Sequence, residues 1–290
     1  MNYGHTFRKI REQKGFTLED IGSVSFLSKF ETGESDISIQ DLYDFLERIG
    51  LTLDEFLFIH HDGERPPGII EFFNQAYDAY VKRDVNLLQE MHKGQMSQWE
   101  EHGLRRYRLQ ADLVKIYESL AKNREMEQED GELQEIKDYL FKVEAWTLYE
   151  LRLYSSVMMV LDEIMVITLT KEAYKKSKNY HYQPQVRDTI NNILLNTLSS
   201  LLGPINQPNR LINTQAFLYF LEALEANCLE SDFVLKSNMM QLRGLYEVKK
   251  GNITEGVEMV KGAVDLLNQF QASNLAQDAE RYMKLILRYK

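Results

Sequence analysis

Apolar residues recur at helical spacing along most of the chain, and no stretch keeps the strict alternation that marks a strand. Before residue 60 the periods are short and divide into five segments, of which the third covers residues 25–31. The second begins at the capping pair Thr17–Asp20, and the fourth begins at Ser38. From residue 69 onward the periods lengthen to 15–25 residues. The pattern therefore predicts an all-α protein.

A segment without apolar residues separates these two parts of the chain. Residues 60–68 contain two prolines and two glycines, so we predict a first domain over residues 1–60, a linker over 61–68 and a repeat domain over 69–290. Long helices with one apolar face bury it against their neighbours, which is the logic of an α-solenoid. The clearest hairpin, residues 242–263, places small residues where two helices cross, as tetratricopeptide repeats do. We also predict one unbroken helix over 157–177 and a solvated loop over 122–135.

Charge and composition restrict the classes of function. The net charge is −10 and the pI is about 5.2, so no global positive field attracts nucleic acid, and any DNA contact has to be local. The single cysteine cannot form an intramolecular disulfide, which favours a reducing compartment. Neither a signal peptide nor a membrane-spanning apolar run is present, so we expect a cytoplasmic protein that does not bind membranes.

The residue patterns of common enzymes are absent from the sequence. It contains no glycine-rich phosphate loop, no His-Glu-x-x-His, no Gly-x-Ser-x-Gly and no pair of cysteines. We therefore predict a protein that is not an enzyme and has neither a metal site nor a cofactor.

The first sixty residues resemble a helix-turn-helix domain of the Xre/Cro kind, with Thr17 capping the second helix and Ser28, Lys29 and Glu31 in the third. In that design the third helix lies in the major groove of DNA and the first helix holds phosphates. Residues 1–60 contain six basic and eleven acidic side chains. We expect Glu31, which would repel phosphate, to hold an arginine or a backbone group inside the domain. The predicted DNA contacts are Arg8, Arg11, Ser23, Ser25, Ser28 and Lys29.

Over the whole chain the sequence resembles the Rgg/GadR/MutR group of regulators of Gram-positive bacteria. The resemblance rests on SFLSKFETGESDIS at 25–38, LDEF at 53–56 and DYLFKVEAW at 138–146. It implies a homodimeric transcription regulator that binds operator DNA. It also implies that the tetratricopeptide-like domain binds a short secreted and re-imported peptide in a concave groove.

The sequence departs from the family pattern between the second and third helices. Ile21 and Leu27 are six positions apart, about four fewer than is usual in the family, a difference of about one helical turn. Either the second helix is truncated or the third begins late. Val24 and Phe26 also place apolar side chains near the expected reading face.

Four residues are candidate peptide contacts. Asn192 and Asn196 are one helical turn apart, and asparagine amides both donate to and accept from an extended peptide backbone. Asn196 falls where the family has a groove asparagine. Arg152 and Ser156 share another helix face, where Arg152 has the charge to pair with a peptide carboxylate. The alternatives are ordinary surface amides for the two asparagines and an intrahelical ion pair with a glutamate for Arg152.

Taken together, the sequence predicts a peptide-responsive regulator with a helix-turn-helix domain on DNA and an α-solenoid that senses the peptide and forms the dimer. Two half-sites about one helical turn apart would follow from two-fold symmetry. One alternative is a regulator that senses a small apolar molecule. A second is a protein-interaction scaffold whose shortened helix-turn-helix no longer binds DNA.

Overall fold

A computed structural model of the chain describes residues 2–63, 68–123, 130–203 and 212–288. Across these ranges every regular element is a helix, which confirms the predicted all-α class. The chain divides into two compact units, Met1–Phe72 and Phe73–Lys290, called here the N-terminal unit and the repeat unit. None of the helices in the described ranges is long and apolar enough to cross a membrane.

Short helices with side-chain caps build the N-terminal unit. Thr17 with Asp20 forms the predicted capping box, and Ser38 with Asp41 forms another; in each, the two residues' side chains accept from each other's backbone amides. The second helix is a single turn that ends at Gly22, so the second helix is the one that is truncated. Before residue 63 the helices are α1 Tyr3–Gln13, α2 Leu18–Ile21, α3 Val24–Thr32, α4 Ile39–Arg48 and α5 Leu53–His60.

Aromatic and aliphatic side chains from all five helices form the core of this unit. Gly4 of α1 lies against the carbonyl of Phe30, so that no side chain fits there and α1 packs closely on the end of α3. Gly33 ends α3 with φ of 78°, a left-handed conformation that glycine adopts without strain. The buried core residues are Phe7, Ile10, Ile21, Leu27, Phe30, Phe45, Leu46, Ile49 and Phe56.

Longer helices follow and pack as hairpins, such as α7 on α8 and α14 on α15. Gly244 and Gly256 touch across the α14–α15 crossing, as the small-residue pattern predicts. The helices are α6 Ile69–Val81, α7 Val85–His102, α8 Arg105–Ala121, α9 Gly131–Lys142, α10 Leu148–Val157, α11 Glu163–Lys176, α12 Pro184–Leu202, α13 Thr214–Asn227, α14 Phe233–Lys250, α15 Ile253–Gln269 and α16 Ser273–Arg288.

The structure differs from the sequence prediction at two connections. The single helix predicted over 157–177 is wrong, because a 3-10 turn at Met158–Val160 follows α10 and Asp162 caps a new helix by accepting from the Met165 amide at 2.8 Å. The loop predicted over 122–135 is wrong from Gly131, where α9 begins, and residues 124–129 lie outside the described residues. Residues 64–67 of the predicted linker also lie outside them.

Candidate DNA-binding face and ligand cavity

The outward face of α3 is short and only partly polar. The helix buries Leu27, Phe30 and Glu31. At about 100° per residue, the residues opposite that buried side are Ser25, Lys29 and Thr32. Val24 and Phe26 are exposed on either side of Ser25. Ser23 precedes the helix as its N-cap residue, and its side chain makes no capping hydrogen bond.

Most of the predicted DNA contacts lie at the surface of the N-terminal unit. Arg8, Ser23, Ser25 and Lys29 are exposed, and Ser28 is half-buried. These residues remain candidates for DNA contact. The sixth, Arg11, is buried in the unit.

The prediction that Arg11 contacts DNA is corrected by its place in the core. Its Nε donates to Glu31 Oε1 at 2.6 Å and its Nη2 to Glu31 Oε2 at 2.8 Å. Its Nη1 donates to the Phe16 carbonyl at 2.6 Å. The guanidinium is thus committed inside the unit, and the hydrogen bond to Glu31 raises the pKa of Arg11. Glu31 holds an arginine, as expected.

Two further cations of this unit bind backbone carbonyls. Lys14 Nζ donates to the carbonyls of Ile49 and Gly50 at the end of α4, and Arg48 Nη1 donates to the Ile21 carbonyl at the end of α2 at 2.7 Å. Such bonds stabilise helix ends. The remaining cations are exposed and are here called the free cation set: Arg8, Lys9 and Lys29. Arg8 pairs with the exposed Glu12, and the described residues supply no partner for Lys9 or Lys29.

The repeat unit contains a cavity of about 590 Å³. Its wall combines aromatic, thioether, hydroxyl, amide and guanidinium groups, a mixture typical of sites for small ligands. Its residues come from α6, α8, α10, the 3-10 turn, α11 and α12. They are Phe73, Asn74, Tyr77, Tyr117, Arg152, Ser155, Ser156, Met158, Met159, Leu161, Val166, Asn196 and Ser200.

The cavity brings together three of the four predicted peptide contacts, Arg152, Ser156 and Asn196. Asn192 is exposed one turn before Asn196 and is not part of the wall. The Ser156 hydroxyl donates to the Arg152 carbonyl at 2.8 Å, which leaves its lone pairs as acceptors for a ligand. The two candidate asparagines, Asn192 and Asn196, are therefore distinct in structure.

The guanidinium of Arg152 has unused hydrogen-bonding capacity. Its Nε atom is buried and has no hydrogen-bond partner, and the described residues supply no ion pair for this side chain. The intrahelical pair with a glutamate is therefore not what the structure shows. A buried donor without a partner costs free energy, which a bound acceptor would recover.

Several cavity residues were not among the sequence candidates. Asn74 and Tyr77 share a face of α6, and Tyr117 of α8 donates from its hydroxyl to the Ser156 carbonyl at 3.2 Å. Burial raises the pKa of Tyr117 to about 12, so the phenol keeps its proton. Met158 and Met159 reach the cavity because the 3-10 turn interrupts the predicted helix. Only the i, i+3 spacing of Asn74 and Tyr77 was visible in the sequence.

Comparison with known families finds two matches on this chain. Residues 86–281 match the model of the C-terminal domain of the HTH-type transcriptional regulator Rgg. Residues 7–56 match a helix-turn-helix model. The two matches fall on the repeat unit and the N-terminal unit respectively.

Solved structures with the same fold extend over nearly the whole chain. The SHP pheromone receptor Rgg2 of Streptococcus dysgalactiae has a TM-score of 0.76 and 21% identity, covering 97% of this chain and 99% of its own. A Listeria monocytogenes EGD-e protein has a TM-score of 0.83 and 22% identity, covering 99% and 98%. ComR of S. thermophilus, in complex with DNA and its signalling peptide ComS, has a TM-score of 0.58 and 15% identity, covering 98% and 99%.

Proposed function

The chain belongs to the Rgg family of HTH-type transcriptional regulators, and on that premise we propose that it is a cytoplasmic homodimer whose DNA binding responds to a short peptide. In this proposal α3 and the free cation set of the N-terminal unit bind operator DNA. The cavity of the repeat unit binds the peptide. The observation that carries the peptide part is the buried, unpartnered Nε of Arg152 in the wall of that cavity.

The chemistry of the cavity fits a peptide better than a small apolar molecule. Arg152 offers paired donors to a carboxylate, and the Asn196 amide offers a donor and an acceptor to a peptide backbone. Phe73, Tyr77 and Met159 supply apolar surface for side chains. The structures of a pheromone receptor and of ComR with its signalling peptide, which share the fold, support the same class of ligand.

Affinity selection from a library of random synthetic heptapeptides with free carboxyl ends tests the peptide part. We expect wild-type protein to enrich a defined set of sequences, and Arg152→Met and Asn196→Ala to lose that set. Arg187→Met is the matched control for the arginine, because Arg187 pairs with Asp188 and does not line the cavity. Asn192→Ala is the control for the asparagine. Equal enrichment by all four variants would contradict the assignment of the cavity.

Selection of bound duplexes from a random DNA library, at low and physiological salt, tests the DNA part. We expect a two-fold symmetric motif whose half-sites lie about one helical turn apart, as a dimeric helix-turn-helix protein requires. Lys29→Ala and Arg8→Ala should weaken binding to it. Recovery of no motif at either salt concentration would favour the interaction scaffold with a degenerate helix-turn-helix instead.

A further inference from the structure

The reading end of α3 has little hydrogen-bonding capacity. In helix-turn-helix proteins the N-terminal residues of the recognition helix contact base edges. Those residues here are Val24, Ser25 and Phe26, because α3 begins at Val24. Only the serine has a side chain that donates or accepts a hydrogen bond. Ser23, just before the helix, adds a second hydroxyl. Two hydroxyls leave room for another kind of contact in the discrimination between base pairs at this end.

Val24 and Phe26 are ordered apolar groups on the protein surface. Their exposed fractions are 41% and 39%. The Phe26 ring packs edge-on against the Phe45 ring of α4, with 6.3 Å between centroids, so it is held while part of it faces outward. A β-branched valine in a helix has one strongly preferred χ1 rotamer. Both side chains would therefore lose little conformational entropy on meeting a partner.

Single exposed apolar residues are ordinary on protein surfaces. These two differ because they flank Ser25 at the end of the helix that faces the bases. The apolar group that the major groove offers is the C5 methyl of thymine. On the premise that α3 enters the major groove, as in the function proposed above, we propose that Val24 and Phe26 select thymine by contact with its methyl group.

The experiment uses full-length protein and the operator selected from the random library. Each thymine of a half-site is replaced singly by deoxyuridine, which removes the methyl and keeps the base pair. We expect one or two positions to lose about fourfold in affinity each, the factor for burying one methyl group. At all other thymines the affinity should stay within about twofold.

Substitutions in α3 then connect each methyl to a side chain. In Phe26→Ala or Val24→Ala, deoxyuridine at the matching position should cause no further loss. Phe58→Ala is the matched control, because Phe58 is exposed on α5; it should keep the full sensitivity. Circular dichroism checks that each variant is folded. If Phe26→Ala unfolds, Phe26→Gln and Val24→Ser, which place polar groups there instead of the apolar ones, replace the alanine variants.

The outcomes separate this inference from the proposed function. A symmetric operator that is bound with no sensitivity to deoxyuridine, or with sensitivity that persists in both α3 variants, overturns methyl reading and leaves the regulator intact. Recovery of no operator at all overturns both. If a second copy of this chain covered Val24 and Phe26, Phe26→Ala and Val24→Ala would change the oligomeric state and leave the operator preference unchanged.

Discussion

Removing Glu31 should destabilise the N-terminal unit far more than removing the exposed Arg8–Glu12 ion pair of α1. The side chains of Arg11 and Glu31 are 8% and 4% exposed and share two hydrogen bonds. Glu31→Ala would leave the Arg11 guanidinium buried without its counterion. Breaking a buried pair in this way costs about 3–5 kcal/mol. Since domains have only about 5–15 kcal/mol of stability in total, much of this unit's stability would be lost.

Two variants make the comparison quantitative. The Arg8–Glu12 pair also begins on α1, but its side chains are 53% and 52% exposed, so Arg8→Ala should cause little or no loss of stability. The double variant Arg11→Met with Glu31→Leu leaves no buried charge. It should therefore recover most of the stability that Glu31→Ala loses.

The assay has to report the two units separately. Both tryptophans, Trp99 and Trp146, lie in the repeat unit, so tryptophan fluorescence in urea follows that unit. Hydrogen exchange measured by mass spectrometry on peptides from α1 and α3 follows the N-terminal unit. If Glu31→Ala loses no more protection in α1 and α3 than Arg8→Ala, the account of Arg11 as a core residue is refuted.

Three further predictions concern pH, packing and salt. Burial raises the pKa of Asp112 to about 6, above the unfolded value of about 3.9. The ionised carboxylate therefore destabilises the fold at pH 7, and this destabilisation fades as the pH falls through 6 towards 4. Asp112→Asn should therefore stabilise the protein by about 1–2 kcal/mol at pH 7 and much less at pH 4 in urea denaturation, and an equal gain at both would contradict this. Gly244→Ala should cost about 1–3 kcal/mol, because its methyl would lie 2.6 Å from the Gly256 carbonyl. Gly94→Ala, in open space on α7, should instead stabilise by about 0.5–1 kcal/mol, and equal melting temperatures for the two variants would refute the packing argument. For a dimer with three free cations per protomer, a plot of the logarithm of operator affinity against the logarithm of salt concentration should have a slope of about −5. Lys29→Ala should reduce the size of this slope by about 2, and a wild-type slope near −10 would mean that other cations contact DNA.

Features with local physical causes could be predicted from the sequence. The helix over 184–202 has the predicted bounds, because Pro184 opens it and the apolar period continues to its end. Thr17 forms the predicted capping box because its partner, Asp20, lies three residues away on the same turn. The break before α11 was missed because the apolar run through residues 158–161 continues the helical period. Asp162 as a helix cap was the signal that could have revealed it.

The candidate sites were less predictable, because their partners are distant in sequence. Arg11 was predicted to contact DNA, although it lies four residues after the buried Phe7 and therefore on the same helix face. Its partner, Glu31, is twenty residues away. The wall of the cavity likewise joins Tyr77 and Asn196 from helices whose packing no short pattern reveals.

The burial of Arg11 changes how an acidic domain can select DNA. The Arg11–Glu31 pair uses one basic and one acidic side chain, so the excess of five acidic side chains in residues 1–60 is unchanged. The cations left to contact phosphate are those of the free cation set. Binding to DNA of any sequence depends on such cations and is therefore weak for this unit. Selectivity is a ratio of specific to non-specific affinity, so weak phosphate binding leaves a larger share of the discrimination to contacts with base edges. In the proposed regulator, Val24 and Phe26 join the candidate contacts Ser23, Ser25, Ser28 and Lys29 in that discrimination, and a dimer doubles the number of these contacts to the operator.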